Sequence, residues 1–410
     1  MTRFWIGGYG ADLGGTAEGI GLLEGDEGRE PATLAHRGVS APAASPSWLA
    51  RHPSLDIVYA ALEGSGAVQA FMRDGETSLA PLGGPVDTGD GVCHIAVASS
   101  GAYLIASCYG DGRVVRIGVD AAGRLGAPTI ADAATDPYGA EGELAAVDFS
   151  DVLASVAASS ESLSPDAAWP DADAPAAARS GLLLFDEALG LNAAPEPDPD
   201  PEPALDDDEH IRRSRAHAAV FLPDGRIATT DLGFDIVRIW RPTASGLVHD
   251  HRVVLPHGVG PRHMVVHPSG HLHVVTEYSG EVFTLAAGAD GYWGAIAGVS
   301  AAPGMQEGLD FPSEISRSRD GETLYVSVRG SNTVAALRVR GAGESVESIA
   351  LAESGVDWPR HHLVHDGALL VAGQRSNSIS VIDLDERTGV PRGIRHRAAA
   401  PTPTSILLAR

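Results

Sequence analysis

The chain has no lysine, so all 29 of its Lys/Arg cations are arginines. That excludes a Schiff-base amine and a Walker-type phosphate loop. Cysteine is nearly absent too. Only Cys93 and Cys108 occur, in stretches that read as neighbouring strands, and a buried, reduced pair is the expectation. Aromatics make up 5% of the chain, and Val, Ile, Leu and Ala carry its apolar character. No apolar run approaches the ~18 residues of a membrane helix. The opening MTRFWIGGYG shows neither a long apolar stretch nor a cleavage pattern. The expectation is a cytoplasmic protein without signal peptide or membrane span. Positive charge is in short supply, with 29 basic against 54 acidic residues and a formal net charge of −25. That argues against nucleic acid and anionic membranes as partners.

The acidity is concentrated. Between Ala133 and Glu209 there are 19 acidic residues and one arginine, and removing that −18 from the total of −25 leaves an ordinary −7. The same interval holds Glu196-Pro-Asp-Pro-Asp-Pro-Glu-Pro, which forms neither helix nor central strand. Leu144, Val147, Val152 and Val156 recur at loosely helical spacing upstream of it. Residues 133–212 read as an acidic, Ala/Pro-rich insertion, partly disordered, within a single domain spanning 1–410.

What is abundant is punctuation: 49 glycines and 27 prolines divide short apolar runs. Six stretches repeat one phrase: a short apolar run opened by Pro or a polar pair, a Pro/Asp/Ser-Gly turn, a second apolar run and a Gly/Ser turn. They begin at Pro46, Val92, Arg215, Pro261, Pro312 and Pro359, and their starts lie 46, 123, 46, 51 and 47 residues apart. Strand-length runs at a period near 46 are the mark of an all-β propeller, one blade per period. The fourth copy predicts an innermost strand at 264–267, a second at 272–277 and a third at 281–285. The terminal PTSILLAR has the phase of an innermost strand, and FWIGGYG…GIGLLEG that of second and third strands. A seventh blade built from both ends would close the ring. The acidic insertion falls between the second and third phrases.

Aligning the phrases gives two columns. Trp48, His94, His217, His263, Glu314 and His361 open the innermost strands, with Arg215, Arg262 and Arg360 just before three of them. Glu63, Tyr109, Asp231, Glu277, Arg329 and Gln374-Arg375 close the second strands. In a meander both columns lie at one end of every blade, so they ring one mouth of the central channel. Any single member reads as a solvated strand end. Convergence of many on one concavity is the signature of a site. His271 and His273 lie toward the other end and read as solvent or packing residues.

The mouth residues carry a family likeness. Gly258-Val-Gly-Pro-Arg-His-Met-Val-Val-His-Pro268 followed by Glu277, Ala216-His217, Arg329, and Val371-Ala-Gly-Gln-Arg-Ser-Asn-Ser-Ile-Ser380 resemble the signatures of the seven-bladed propeller lactonases. These are the propeller-type 6-phosphogluconolactonases and the related fungal carboxy-cis,cis-muconate lactonizing enzymes. The resemblance covers nearly the whole chain apart from the insertion. It implies hydrolysis of a sugar lactone, 6-phosphogluconolactone foremost, in the pentose phosphate pathway. It carries His217, Arg262, Glu277 and Arg329 over as catalytic residues. One departure is Arg213-Ser-Arg215, where many relatives have a Pro-His pair.

Read as chemistry, Glu277 or His217 could activate water, and Arg262 or Arg329 could stabilise the oxyanion. His94, His263, His361, Gln374, Arg375 and Glu63 are expected to bind a small anionic substrate, and Arg360 is a further candidate for that task. No cofactor and no metal are expected, and the protein should be a monomer or weak homodimer. An anionic substrate is repelled by the net charge only within the screening length of about 8–10 Å, where a local arginine cluster can prevail. The alternatives are another lactone or a muconate-like acid, a metal held by the histidines, or a non-catalytic binding platform. Few mouth aromatics (Trp48, Tyr109, Tyr9) weigh against the platform.

Overall fold

The computed structural model describes residues 2–25, 34–139, 152, 154 and 212–409. Seven antiparallel sheets form seven blades, each a four-stranded meander, the first with one short extra strand. Blade one contains Pro46–Arg51, Ile57–Leu62, Ala67–Asp74 and Ser78–Pro81. Blade two begins at Val92–Val97, blade three at Ala216–Phe221, blade four at Pro261–Val266, blade five at Phe311–Arg317 and blade six at Pro359–His365. Blade seven pairs Pro403–Ala409 with Thr2–Gly8, then Gly19–Gly25 and Leu34–Pro42, so both ends of the chain share one sheet. Each innermost strand touches the next, and the last touches the first, which closes the ring.

Alternating apolar residues face outward from each sheet onto the neighbouring blade. The seven apolar clusters correspond to the seven blade interfaces: Tyr59, Val68, Leu104 and Ile117 join blades one and two, and Phe4, Leu23, Leu370 and Val381 join six and seven. Each such side chain contributes about 1.5–3 kcal/mol when fully buried.

Two devices at the mouth recur from blade to blade. First, every innermost strand carries a β-bulge at its start, between Pro46 and Trp48, Pro261 and His263, or Pro359 and His361, for example. The extra residue is unpaired in the ladder and re-aims its side chain. Around these bulges runs a belt of bonds from blade to blade. Cys93 Sγ donates to the His217 carbonyl (3.5 Å), Thr230 Oγ1 to the Arg262 carbonyl (2.7 Å), Ser313 Oγ to the Pro359 carbonyl (2.6 Å) and Thr404 Oγ1 to the Ser47 carbonyl (2.8 Å).

Second, Asp235, Asn332 and Asn377 sit in the turn after the second strand with left-handed backbone (φ 56°, 56° and 49°). Asn and Asp tolerate this region best among non-glycine residues. Each side chain accepts at 2.8 Å from the backbone that enters the next blade: Gly258 and Gly260, Trp358, and Thr402 respectively. Gly260, of the Gly-Pro-Arg-His phrase, has φ +65°, and a Cβ there would lie 2.6 Å from the Tyr278 ring. Only glycine meets both demands.

The insertion leaves and re-enters at the mouth side of blade three. Its described ends meet: Arg212 pairs with Asp136 (3.3 Å) and Asp235 (2.6 Å), and stacks on Tyr138, whose hydroxyl donates to the Leu255 carbonyl (2.6 Å). Val152 and Ala154 are helical, and Val152 joins the apolar cluster that includes Leu255 and Val259. The rest of the expected helix and the expected disorder lie outside the described residues. No helix among the described residues is long and apolar enough to cross a membrane. Cys93 and Cys108 are buried free thiols, and burial pushes the Cys108 thiol up to about 12. His273 is a packing residue, fully buried and bonded to Thr284 at 3.1 Å.

Candidate functional site

The bulges decide what reaches the mouth. At blade four the extra residue is Arg262, and at blade six Arg360. Arg262 Nε lies 2.6 Å from Glu277 Oε2, and Arg329 Nη2 lies 2.9 Å from the same oxygen. These are charge contacts in which the N–H bonds do not point along the line to the oxygen. Two backbone carbonyls do take aligned bonds: Ser313 from Arg262, and Phe311 from Arg329 Nε at 3.2 Å. One carboxylate and two carbonyls thus fix two guanidiniums side by side. Both arginines are almost fully buried, and burial lowers the pKa of Arg262 from its usual value.

On the next blade round the ring, Arg360 Nη2 donates to Tyr9 Oη (2.6 Å), Tyr9 donates to Glu63 Oε1 (3.1 Å), and Gln374 Oε1 lies 3.4 Å from Arg360 Nη1. A third group joins them. Arg215 stacks on Tyr109 (4.8 Å), and Tyr109 meets the His217 ring edge-on (5.9 Å). Burial, then the Glu277 charge and the neighbouring Tyr109, push the Tyr278 phenol well up. His217 is buried, and Nδ1 finds no hydrogen-bond partner among the described residues. Burial first, then the Arg262 charge, drive its pKa well below that of a free imidazole, so it is neutral at pH 7.

The expected substrate-binding histidines adjoin this group, with the His263 ring centre 5.0 Å from that of His217. His94, His263 and His361 pack around Trp48, with ring centres 4.5, 5.3 and 5.1 Å from the indole. All three are buried, and burial holds them neutral, His361 at about 4. Beneath them Glu314 lies 3.1 Å from His263 and 3.7 Å from His361, with its carboxyl pKa raised by burial. Together these rings form a plug around Trp48. Trp48, His94, His263 and His361 each stand just after the bulge that opens their innermost strand. The rings are packed against one another, and among the described residues no cluster of three or more His, Cys, Asp or Glu is arranged to hold a metal.

Two more residues belong to the rim. Asp231 is a buried brace, accepting from Ser214, from the Arg215 amide (2.8 Å) and from the Phe234 amide (3.2 Å). Trp358, which sequence reasoning missed, lies between two arginines, 3.5 Å from the Arg375 guanidinium and 5.4 Å from that of Arg329. Its φ is +59°, a strained value for a bulky residue. The signal was present in the aromatic-proline pairs Phe311-Pro312 and Trp358-Pro359 that open blades five and six. Of the expected binding residues, Glu63, Gln374 and Arg375 are at the rim, Gln374 buried and Arg375 exposed.

The family described as "Lactonase, 7-bladed beta-propeller" matches residues 3–143 and 194–408. The chain belongs to this lactonase family. Its match omits residues 144–193, inside the acidic insertion. The 6-phosphogluconolactonase of Bacillus subtilis (strain 168) is 22% identical over 99% of this chain and 98% of its own length. An uncharacterized protein, YwcC, of Lactococcus lactis is 28% identical, but over 43% of this chain; the chain spans about half (53%) of that relative. Among solved structures, a Lactobacillus plantarum protein superposes with a TM-score of 0.74 at 20% identity, covering 100% of both chains. The periplasmic gluconolactonase PpgL of Pseudomonas aeruginosa superposes at 0.72 and 18% identity, covering 100% of this chain and 99% of its own. At these identities the structural likeness speaks for the fold.

Proposed function

We propose that this propeller lactonase hydrolyses a sugar lactone that carries an anionic group, most directly 6-phosphogluconolactone to 6-phosphogluconate. The observation that carries the reading is the pair of buried guanidiniums, Arg262 and Arg329, fixed on Glu277 Oε2 at the mouth of a lactonase-family propeller. The full-length likeness to a 6-phosphogluconolactonase supports the choice of substrate.

In this scheme the lactone carbonyl faces the two guanidiniums. Water adds to the carbonyl carbon, and the charge that develops on oxygen meets fixed cations in a dry site. Loss of one such donor typically costs about 2.7–4 kcal/mol of barrier stabilisation. The water proton passes to a base, for which His217 is best suited. It is neutral, and Nδ1 has no hydrogen-bond partner among the described residues. Its low pKa makes it a weak base at rest, and a neighbouring oxyanion raises that pKa as the proton moves. The C–O bond to the ring oxygen then breaks, the alkoxide takes the proton, and the product is the open hydroxy acid. Glu277, engaged by both arginines, holds them in register.

As part of the same proposal, the enzyme works in the cytoplasm in the pentose phosphate pathway, as a monomer or weak homodimer. Its two buried free thiols suit a reducing compartment. The test is the rate of loss of 6-phosphogluconolactone with purified protein. Acceleration by wild type, lost in Arg262→Ala and in His217→Asn, supports the scheme. A wild-type rate no higher than that of the double variant ends it.

A further inference from the structure

Arg360 occupies on blade six the bulge position that Arg262 occupies on blade four. The residue closing the second strand of its own blade is Gln374, where blade four has Glu277. Arg360 also reaches across the blade boundary to Tyr9, and Tyr9 to Glu63, so one chain of bonds crosses blades six, seven and one. Its direction is fixed by chemistry. A guanidinium only donates and a carboxylate only accepts, so the phenol proton faces Glu63 and the phenol lone pair faces Arg360. The Arg360 guanidinium also lies 5.0 Å from the centre of the Tyr9 ring. Tyr9 is fully buried at 0% exposure, too deep to touch a substrate, and Arg360 is 8% exposed.

We infer that Tyr9 is a positioning residue that holds Arg360 at the mouth as the receptor for the anionic group of the substrate, with Glu63 orienting the Tyr9 hydroxyl. The inference rests on the lactonase reading and adds to it a second station. Arg262 and Arg329, on blades four and five, serve the reacting carbonyl, and Arg360, on blade six, serves the remote phosphate or carboxylate. An arginine already ordered by its protein contacts loses little further freedom when an anion arrives, whereas a released one must be ordered by the ligand itself. Glu63 therefore acts through Tyr9 and Arg360, not by touching the substrate.

The experiment compares wild type with Tyr9→Phe and Glu63→Gln in the full chain, on two lactones sharing one ring: gluconolactone and its 6-phosphorylated form. The readout is the ratio of kcat/KM for the phosphorylated over the neutral lactone. Tyr9→Phe is expected to lower this ratio about tenfold, the weight of one charge-assisted hydrogen bond, mainly through KM. Glu63→Gln lowers it less. Calorimetry with inorganic phosphate should show about tenfold weaker binding to Tyr9→Phe. A ratio unchanged in both variants, or a loss confined to kcat, overturns the positioning role and leaves the lactonase reading standing. If wild type turns over neither lactone but phosphate still binds more weakly to Tyr9→Phe, the lactonase reading falls and the positioning role survives. Absence of phosphate binding to wild type overturns the anion station. Should Tyr9→Phe fail to fold, as judged by its melting curve, Glu63→Gln decides, since it conserves shape.

Discussion

Replacing Glu277 by Gln keeps the volume of the side chain and removes only its charge. The structure makes that charge do two things at once, because a single oxygen sits 2.6 Å from Arg262 and 2.9 Å from Arg329. A unit charge pair at about 4 Å is worth about 4 kcal/mol at the effective dielectric of a partly buried site. The variant loses two such attractions and keeps the repulsion between two guanidiniums that are 4% and 5% exposed. Removing one partner of a buried pair typically costs about 3–5 kcal/mol, and that is the expected destabilisation. Urea unfolding measures it as a drop in midpoint at constant m. Added salt should screen it weakly, since both cations are out of water, but a site-bound anion should offset it. Phosphate should raise the midpoint of Glu277→Gln more than that of wild type, by the mass-action amount. Lactone turnover should fall about 100-fold or more as the arginines move apart, in line with loss of an oxyanion donor. A variant with unchanged midpoint, or one that phosphate stabilises no more than wild type, would refute the idea that Glu277 clamps a cationic pair.

Three further outcomes follow from the geometry. Acid should unfold the protein early. His94, His217 and His263 are held well below the usual imidazole pKa, and His361 at about 4 and His362 at about 3, all chiefly by burial. Their neutral forms stabilise the fold fully above the unfolded value near 6.5, and this is lost as the pH falls from there toward the folded values, on the order of 3 kcal/mol for His361 by pH 4. Glu314, whose pKa is raised, offsets part of it, and a urea midpoint constant from pH 7 to pH 5 would contradict the account. Gly260→Ala should cost about 1–3 kcal/mol, from a left-handed backbone and a Cβ 2.6 Å from Tyr278; a loss below about 0.5 kcal/mol would count against it. Replacing residues 140–211 by a short Gly/Ser linker should leave the β-sheet circular dichroism intact, because Asp136 and Arg212 already meet at 3.3 Å; loss of the folded spectrum would show that the ring needs the insertion.

The blades were legible because a turn every few residues and a period near 46 leave few other folds, and the split seventh blade followed from the phase of PTSILLAR. The mouth columns were legible because strand ends in a meander fall together. What sequence could not give was depth. Arg262 and His263 are adjacent, yet a bulge sends one to Glu277 and the other to the plug around Trp48. A bulge is a property of pairing with the second strand, and no local pattern in Pro-Arg-His encodes it. Likewise Asp231 and Glu277 share one column, but the first is consumed by the Arg215 and Phe234 amides and the second by guanidiniums from two blades. Trp358 escaped notice because it precedes the innermost strand of blade six and so falls outside both columns.

The stopper of indole and imidazole rings across the axis has a consequence for traffic. With Trp48 packed among His94, His263 and His361, side chains from blades one, two, four and six meet at that depth. In the proposed reaction a reactant stopped by these rings would share one doorway with its product, which would back out before the next could enter. The product of the proposed reaction would keep the remote anion and gain a carboxylate. It should therefore linger at the arginines and compete with fresh reactant, and release would set the pace of turnover.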